Sequence, residues 1–398
     1  MLANGLAGSA DLVRICLVYD CLFPYTVGGA ERWYRNLGER LAAEGHDVTY
    51  LTLRQWKRGE HGEVPGVRVD AVGPRMRLYA GPGRRRVLPP LVFGVGVLWH
   101  LLRHGSRYDV LHTASFPYFS LLAAGLLRRR RRYRLVVDWH EVWSREYWRE
   151  YLGPAGGRIG DAVQRACLRI PQRAFCFSRL HAARLRSAGV RGEVTVLEGE
   201  YAGPLEGRDP EPAEQVVVFA GRHIPEKQVP ALVPAVGVAR GSIAGLRAVI
   251  YGDGPDRAEV LRLRAEHGLE DAIDVPGFVD AGEVERGLRR GLCLVLPSRR
   301  EGYGMVVIEA ACQGTPSVVV AGPDNAAVEL VSEGENGFVA ASASPEDLAA
   351  AIERVRAAGP ELRRTTAEWF RRNARRLSLE ASLETVLGSY GEVDSVRR

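Results

Sequence analysis

Short apolar runs recur along the chain, each followed by a polar or glycine-containing stretch and then by a segment with helical spacing. In the first half the runs at 15–19, 48–53, 109–112, 135–138, 174–177 and 194–197 read as strands, and 30–43, 162–170 and 181–187 as helices. Trp33, Leu37 and Leu41 share one face of the first helix and Gly45 stops it, so 15–53 reads as strand, helix, parallel strand. Near-continuous apolar runs are what strands covered on both faces of a parallel sheet require. At 202–215 the pattern breaks into A-G-P-L-E-G-R-D-P-E-P-A-E-Q, whose prolines and acids mark a linker. The alternation then restarts, with strands at 216–219, 248–251, 273–275, 292–296 and 317–320 and largely helical sequence at 345–357 and 362–390. The pattern predicts an α/β protein of two domains, each built on a parallel sheet, with a cleft between them. The expected boundaries are 1–205 and 206–375, with 376–398 as a closing segment.

A length of 398 residues also favours two domains, and a composition of 46% hydrophobic and 26% charged residues is that of a soluble globular protein. The six cysteines form no CxxC pair and lie mostly in apolar runs, so no disulfide framework or zinc site is expected, and a reducing cytoplasm is. The N-terminus lacks a basic segment and Asp11 interrupts it, so no signal peptide is expected. The most membrane-like stretch, 91–102, is too short to span a bilayer, contains His100 and follows Pro89 and Pro90. It reads either as a buried helix or as a surface contact with a membrane.

The net charge of +6 is unevenly placed, basic up to residue 205 and acidic beyond it. Arginine clusters at 84–86 and 128–134 are either solvated faces or attractors for anionic lipid head groups or an acidic acceptor. The inner face of a membrane is thus one candidate partner of a cytoplasmic protein, whereas nucleic acid is not expected, because no aromatic residues interleave with the arginines. Of 54 basic residues only Lys57 and Lys227 are lysine. Lys57 lies in a polar loop; Lys227 lies in a motif, where a compact ammonium does what a guanidinium does not.

The chemistry gathers at strand ends. S-R-R-E-G-Y-G-M-V-V-I-E at 298–309 sets Glu301 and Glu309 on either side of a glycine turn that opens a helix. Such a turn points backbone N–H groups into the crevice where open α/β sheets bind ligands. Carboxylates beside it suit hydroxyls, such as those of a sugar and a ribose, which points to a sugar nucleotide. F-A-G-R-H-I-P-E-K at 219–227 ends a strand at Gly221 and projects Arg222 and Lys227. Two fixed cations suit a departing diphosphate, whose charge grows as its bond to the sugar breaks; the other reading is surface charge in a loop. Gly28 and Gly29 begin the first helix, either to let backbone approach a ligand or as a tight turn. Y-G-D-G-P at 251–255 shapes a cleft wall and makes Gly252 a contact candidate, and V-P-G-F-V at 275–279 offers backbone at Phe278 and Val279 to the edge of a base. D-W-H-E at 138–141 brings His140 to a strand end, as a ligand or as a satisfied structural histidine. The aromatic residues near it, Trp139, Trp143, Tyr147 and Trp148, suit core packing or stacking on a sugar.

The order of these pieces resembles the family-4 retaining glycosyltransferases of the GT-B fold. The likeness runs from V-G-G-A-E-R at Val27 to the helix near Tyr390; G-R-x-x-x-E-K at 221–227 and E-x7-E at 301–309 are its most specific parts. It implies two Rossmann-like domains facing across a cleft, a closing helix that crosses back to the first domain, and a fold type that works without a bound metal or cofactor. It implies a UDP- or GDP-linked hexose donor against the second domain, and a glycan, lipid-linked or small-molecule acceptor against the first. Arg222 and Lys227 would hold the diphosphate, Glu301 would bond the donor sugar, and backbone from Gly302 through Tyr303 and Gly304 to Met305, with Val306 beside it, would meet the same region. Glu309 would take the ribose, Gly28 and Gly29 would close over the phosphates, and His140 would sit near the anomeric carbon. The expected catalytic set is His140, Arg222, Lys227 and Glu301, in a monomer or homodimer. One departure stands out: many relatives carry N-G-[IV]-D near the end of the first domain, where this chain has L-E-G-E-Y at 197–201. The competing readings are a non-catalytic sugar-nucleotide or surface-binding homologue, an arginine-driven nucleic-acid binder, and a pyridoxal-phosphate phosphorylase, which needs a Schiff-base lysine.

Overall fold

The computed structural model describes residues 12–57, 59–81 and 84–391, without the side chains at 79–81, 84 and 391. Residues 1–11, on which the signal-peptide expectation rests, the Arg84 side chain, and residues 392–398 of the closing segment lie outside it.

The first domain carries β1 (Arg14–Val18), β2 (Asp47–Leu53), β3 (Arg68–Gly73), a hairpin of β4 (Tyr79–Gly81) and β5 (Arg84–Arg85), then β6 (Val110–Ala114), β7 (Arg134–Trp139), β8 (Arg173–Cys176) and β9 (Val194–Val196). Apart from the hairpin these form one parallel sheet in the order β3-β2-β1-β6-β7-β8-β9. The second domain carries β10 (Val216–Ala220), β11 (Arg247–Tyr251), β12 (Ile273–Gly277), β13 (Cys293–Leu296), β14 (Arg300–Glu301), β15 (Ser317–Val320), β16 (Asp324–Asn325) and β17 (Gly337–Ala340). Its six-stranded parallel sheet runs β12-β11-β10-β13-β15-β17, and β14 pairs separately with β16. Both sheets reverse their winding beside the first strand of the domain, between β1 and β6 and between β10 and β13. A doubly wound sheet opens its ligand crevice at that switch point. The loops after β1 and β10, which lead to Gly28 and to Arg222, both start there.

The fully buried runs Ile15–Val18, Val217–Phe219 and Cys293–Val295 explain the parallel sheets, since each strand is covered on both faces. The helices that cover them are α1 (Gly29–Ala43), α2 (Leu88–His104), α3 (Tyr118–Arg131), α4 (Arg145–Leu168) and α5 (Arg179–Ser187) in the first domain. The second has α6 (Leu232–Ala239), α7 (Arg257–Glu266), α8 (Ala281–Arg290), α9 (Met305–Cys312) and α10 (Pro345–Asn373), and α11 (Leu379–Gly391) closes the chain. The last helix lies against α1, buries Leu383, Val386 and Tyr390, and bonds its Tyr390 hydroxyl to His112 Nδ1 on β6. It thus returns to the first domain.

Several elements escape the sequence pattern. R-V-D-A-V-G of β3 is an edge strand, partly exposed along its length, and α4 begins 17 residues before the helix expected at 162–170 because Gly153 (φ +74°) and Pro154 kink it. The 91–102 stretch is a helix, but not a wholly buried one: Phe93, Val97 and Leu101 are buried, whereas Val95 and Trp99 are 67% and 59% exposed. Nor are all the clustered arginines solvated. Arg85 pairs with the fully buried Asp20, and Arg131 bonds the Leu102 carbonyl.

The two domains meet through polar contacts. Glu329 of the second domain accepts from the N–H groups of Arg179 (2.8 Å) and Leu180 (2.7 Å) at the start of α5, where a carboxylate also complements the helix dipole. Tyr303 donates to the Glu198 carbonyl at 2.6 Å, Tyr147 donates to Glu226 at 2.9 Å, and Arg300 pairs with Glu141.

Candidate active site

Two adjoining cavities fill the cleft. One, of about 510 Å³, is walled on the first-domain side by Gly29, Arg32 and Asn36 of α1 and on the other by Phe278, Val279, Met305, Val306 and Glu309. The second, of about 380 Å³, is lined by Gly28, Gly29, Glu31, His140, Glu141, Glu200, Arg222, Gly302 and Tyr303. Gly29 and Glu200 belong to both, so the two form one trough along the start of α1. The structure therefore brings together eleven of the sixteen site residues expected from the sequence. Gly221, Gly252, Gly304, Lys227 and Glu301 line neither cavity.

Those five stand directly behind the walls. Gly252 (φ +113°) and Gly254 (φ +153°) press against the Arg222 loop so closely that a Cβ at either would fall 1.9 Å from the Gly221 carbonyl oxygen or 2.4 Å from that of His223. His223 N donates to the Asp253 carbonyl at 2.9 Å and Gly221 N to the Tyr251 carbonyl at 3.3 Å. The G-D-G-P turn thus shapes the loop that projects Arg222. Arg222 is exposed and makes no ion pair among the described residues. Gly304 (φ +105°) starts α9 in a left-handed conformation, with Ala327 2.7 Å from where its Cβ would be. Gly302 faces the first domain, where an added Cβ would meet the His140 carbonyl oxygen at 3.0 Å.

Lys227 and Glu301 are joined. The ammonium meets Glu301 Oε1, which also accepts from Ser298 Oγ at 2.9 Å, and Glu301 is only 7% exposed. The sequence reading gave Lys227 and Glu301 separate tasks, at the diphosphate and at the donor sugar; the fold couples them in one hydrogen-bonded unit. Glu309 has no ion pair among the described residues. Burial pushes its carboxyl above the ordinary range, and Arg32 of α1 opposes that.

Across the trough, His140 stacks on Phe177 with ring centroids 4.7 Å apart and planes 4° from parallel, and Tyr34 meets its edge at 6.5 Å. Its Nε2 is buried without a hydrogen-bond partner among the described residues, and burial holds the ring below its ordinary pKa, so the imidazole is neutral at pH 7. Two residues earlier, the fully buried Asp138 accepts from Trp33 Nε1 at 2.7 Å and lies 2.8 Å from His112 Nε2, an ion-pair distance with poor hydrogen-bond alignment. Burial alone would raise Asp138, but His112 beside it, with His140 and Trp33, holds it below the ordinary carboxylate range. Of the nearby aromatic residues, Trp139, Tyr147 and Trp148 are buried in the domain; Trp143 sits at the cleft with the Arg300 guanidinium 4.6 Å from its ring.

Three carboxyl groups of the trough went unassigned in the sequence. Glu31 lies one turn into α1, and a Cβ on Gly28 would fall 2.4 Å from its Oε2, so the carboxyl folds back over the helix start. Burial raises it, with its own N–H and Arg85 opposing. Glu141 is held by Arg300 and by Trp143 Nε1 at 2.8 Å. Glu200 stands within L-E-G-E-Y, where the departure from the N-G-[IV]-D pattern was the available signal. Burial, with Asp138 adding to it, pushes its carboxyl up to about 7.

The family description Glycosyltransferase Family 4 matches residues 27–198, and Glycosyl transferases group 1 matches 208–375; between them they span most of the chain. The alpha-D-kanosaminyltransferase of Streptomyces kanamyceticus is 28% identical over 241 residues, covering 59% of this chain and 58% of that protein. Among solved structures, the sucrose-phosphate synthase of Thermosynechococcus elongatus superposes with a TM-score of 0.74 at 21% identity, over 96% of this chain and all of that one. Anabaena HepE in complex with UDP-glucose superposes with a TM-score of 0.70 at 17% identity, over 96% and 100%.

Proposed function

The chain belongs to the family-4 glycosyltransferases of the GT-B fold, and from that premise we propose that it transfers a hexose from a UDP- or GDP-linked donor with retention of the donor's anomeric configuration. The observation that carries the reading is the single trough. It joins a cavity with an apolar wall and two α1 polar residues, of a size for a nucleoside, to one where Arg222, the start of α1 and the His140 ring converge. In this reading the nucleoside lies between Phe278, Val279 and α9, with Glu309 on the ribose. The diphosphate lies against Arg222 and the Gly28–Gly29 turn, and the sugar against Gly302, Tyr303 and the Lys227–Glu301 unit.

The acceptor hydroxyl attacks the anomeric carbon from the face the diphosphate leaves. The sugar–phosphate C–O bond breaks, its electron pair goes to the phosphate oxygen, and that oxygen takes the acceptor proton. Neutral His140 presents its unpartnered Nε2 to the donor sugar or acceptor. Arg222 and Lys227 meet the charge that grows on the leaving group, so the reading needs no metal or cofactor. Their presence beside Glu301 also weighs against a decayed, purely binding homologue. The acceptor enters from the first-domain side and is a glycan, a lipid-linked sugar or a small molecule, with the membrane's inner face as one place to meet it. The test is release of UDP or GDP from a panel of sugar nucleotides, with and without candidate acceptors. Release from one donor that acceptor accelerates supports the reading, and inertness towards every UDP- and GDP-hexose overturns it.

Glu200 gives that assay a pH signature. With its carboxyl raised to about 7, the group is neutral in mildly acid solution and becomes an anion beside the diphosphate as pH rises. KM for the donor should therefore rise as pH passes 7, and Glu200→Gln should flatten that limb while keeping the low-pH KM. The same shift makes folding stability fall, not rise, between the ordinary carboxylate pKa and about 7, because the folded state there binds more protons than the unfolded one. An unchanged pH profile in Glu200→Gln would remove the residue from the donor site.

A further inference from the structure

We propose that the outer face of α2 and the end of α3 form a docking surface for an anionic lipid bilayer. The proposal deepens the reading above by giving the acceptor side of the cleft a membrane to face.

Along α2, Leu88, Leu91, Val95 and Trp99 recur at helical spacing and are 60%, 39%, 67% and 59% exposed, while Phe93, Val97 and Leu101 on the opposite stripe are fully buried. The helix is thus apolar on the side the domain does not cover. Leu126 of the adjoining α3, 73% exposed, extends the patch, and a shallow groove of about 340 Å³ lined by Val72, Val92, Val95 and Trp99 runs beside it. Contiguous apolar surface of this kind marks an interaction site.

Its rim is cationic. Arg75 and Arg77 follow β3, Arg86 precedes α2, Arg103 lies with its guanidinium 3.5 Å from the centre of the Trp99 ring, and Arg129 and Arg130 end α3. All six are exposed, and among the described residues none forms an ion pair. From Ala71 to Val137 the chain carries thirteen arginines and one acidic residue, Asp109, which binds Arg14. An apolar helical face bordered by arginine, with a tryptophan at its edge, suits insertion at the depth of lipid head groups.

Charge decides between occupants. A second copy of the chain meeting this face symmetrically would set arginine against arginine, and a nucleic acid has no use for exposed Leu88, Leu91 and Val95. An anionic membrane satisfies both features. No helix among the described residues is long and apolar enough to cross a bilayer, so the contact is in its plane. The orientation serves the cleft: Arg85, just before α2, pairs with Asp20, and the neighbouring Tyr19 lines the cavity that holds His140. An acceptor carried in the bilayer would therefore arrive beside the start of α2.

Co-sedimentation of the full chain with vesicles tests this. Binding is expected to phosphatidylcholine vesicles containing phosphatidylglycerol, to weaken with added salt, and to be much poorer to phosphatidylcholine alone. Each arginine near an anionic surface contributes roughly fivefold, so Arg129→Glu with Arg130→Glu should weaken binding by roughly tenfold or more. Val95→Glu with Trp99→Glu should weaken it comparably, while acceptor-free cleavage of the sugar nucleotide stays at the wild-type rate, which shows that the fold and the donor site are intact. Equal binding to neutral and anionic vesicles, no binding to either, or a dimer that the Val95→Glu, Trp99→Glu protein no longer forms would overturn the proposal and leave the catalytic reading standing.

Discussion

Lys227→Ala should lower turnover roughly a hundred- to thousand-fold, equivalent to about 3–4 kcal/mol of lost charge stabilisation, with the fold intact. The residue is one of two lysines in an arginine-rich chain, sits at the sheet's switch point, and contacts Glu301, the carboxylate assigned to the donor sugar. Its removal takes away the cation that the proposed function sets against the departing diphosphate, and also frees the carboxylate that the ammonium holds. Glu301 is 7% exposed, and a buried carboxylate without its partner is costly, so some loss of stability accompanies the loss of rate. The two are separable. Lys227→Arg keeps the charge but replaces a compact ammonium with a planar fork, so it should restore stability more fully than turnover. Steady-state release of UDP or GDP, read beside thermal unfolding, tests the pair of variants. Near-normal turnover in Lys227→Ala would remove the lysine from the leaving-group site.

Asp138→Ala should destabilise the first domain strongly. Asp138 is fully buried, accepts from Trp33 of α1, and faces His112 of β6, whose other ring nitrogen meets Tyr390 of the returning helix. One carboxylate thus ties together the glycine turn, two strand ends and the last helix of the chain. Removing it leaves the Trp33 N–H unbonded and His112 Nε2 facing no carboxylate in a fully buried site, and each buried polar group left unsatisfied costs about 1–3 kcal/mol. The expected result is a clear fall in melting temperature together with weaker donor binding, because Gly28 and His140 are positioned through the same network. A variant that melts with the wild-type protein would show that the network is not structural. It would also return D-W-H-E to the simpler reading in which only His140 matters.

These two cases show what the sequence could and could not disclose. The parallel sheets were legible because doubly covered strands need unbroken apolar runs, and 317–320 was placed to the residue. Glycine turns at strand ends were legible because close backbone approach admits little else, as Gly252 against Gly221 shows. The Lys227–Glu301 contact was not, because it joins residues 74 positions apart through two different strand ends. Nor was the role of Asp138, whose partners come from two other elements, α1 and β6. The outer face of α2 fell between these cases. Its apolar spacing is plain in the sequence, but the helix is apolar on both sides, and periodicity alone does not say which stripe the core takes. Glu31 and Glu200 were missed for another reason: a carboxyl in a glycine turn or a loop has no pattern of its own until the cavity wall is built.

The central claim is that the trough between the domains binds a sugar nucleotide, with Glu309 at the ribose end. Thermal shifts of the wild-type protein and of Glu309→Ala, measured across a panel of UDP- and GDP-linked hexoses, test it most directly. One donor class should stabilise the wild-type protein, by about 2.7 kcal/mol at a hundred times its dissociation constant, and should stabilise Glu309→Ala markedly less at the same concentration. A wild-type protein indifferent to every sugar nucleotide, or a Glu309→Ala protein stabilised as fully as the wild type, would contradict it.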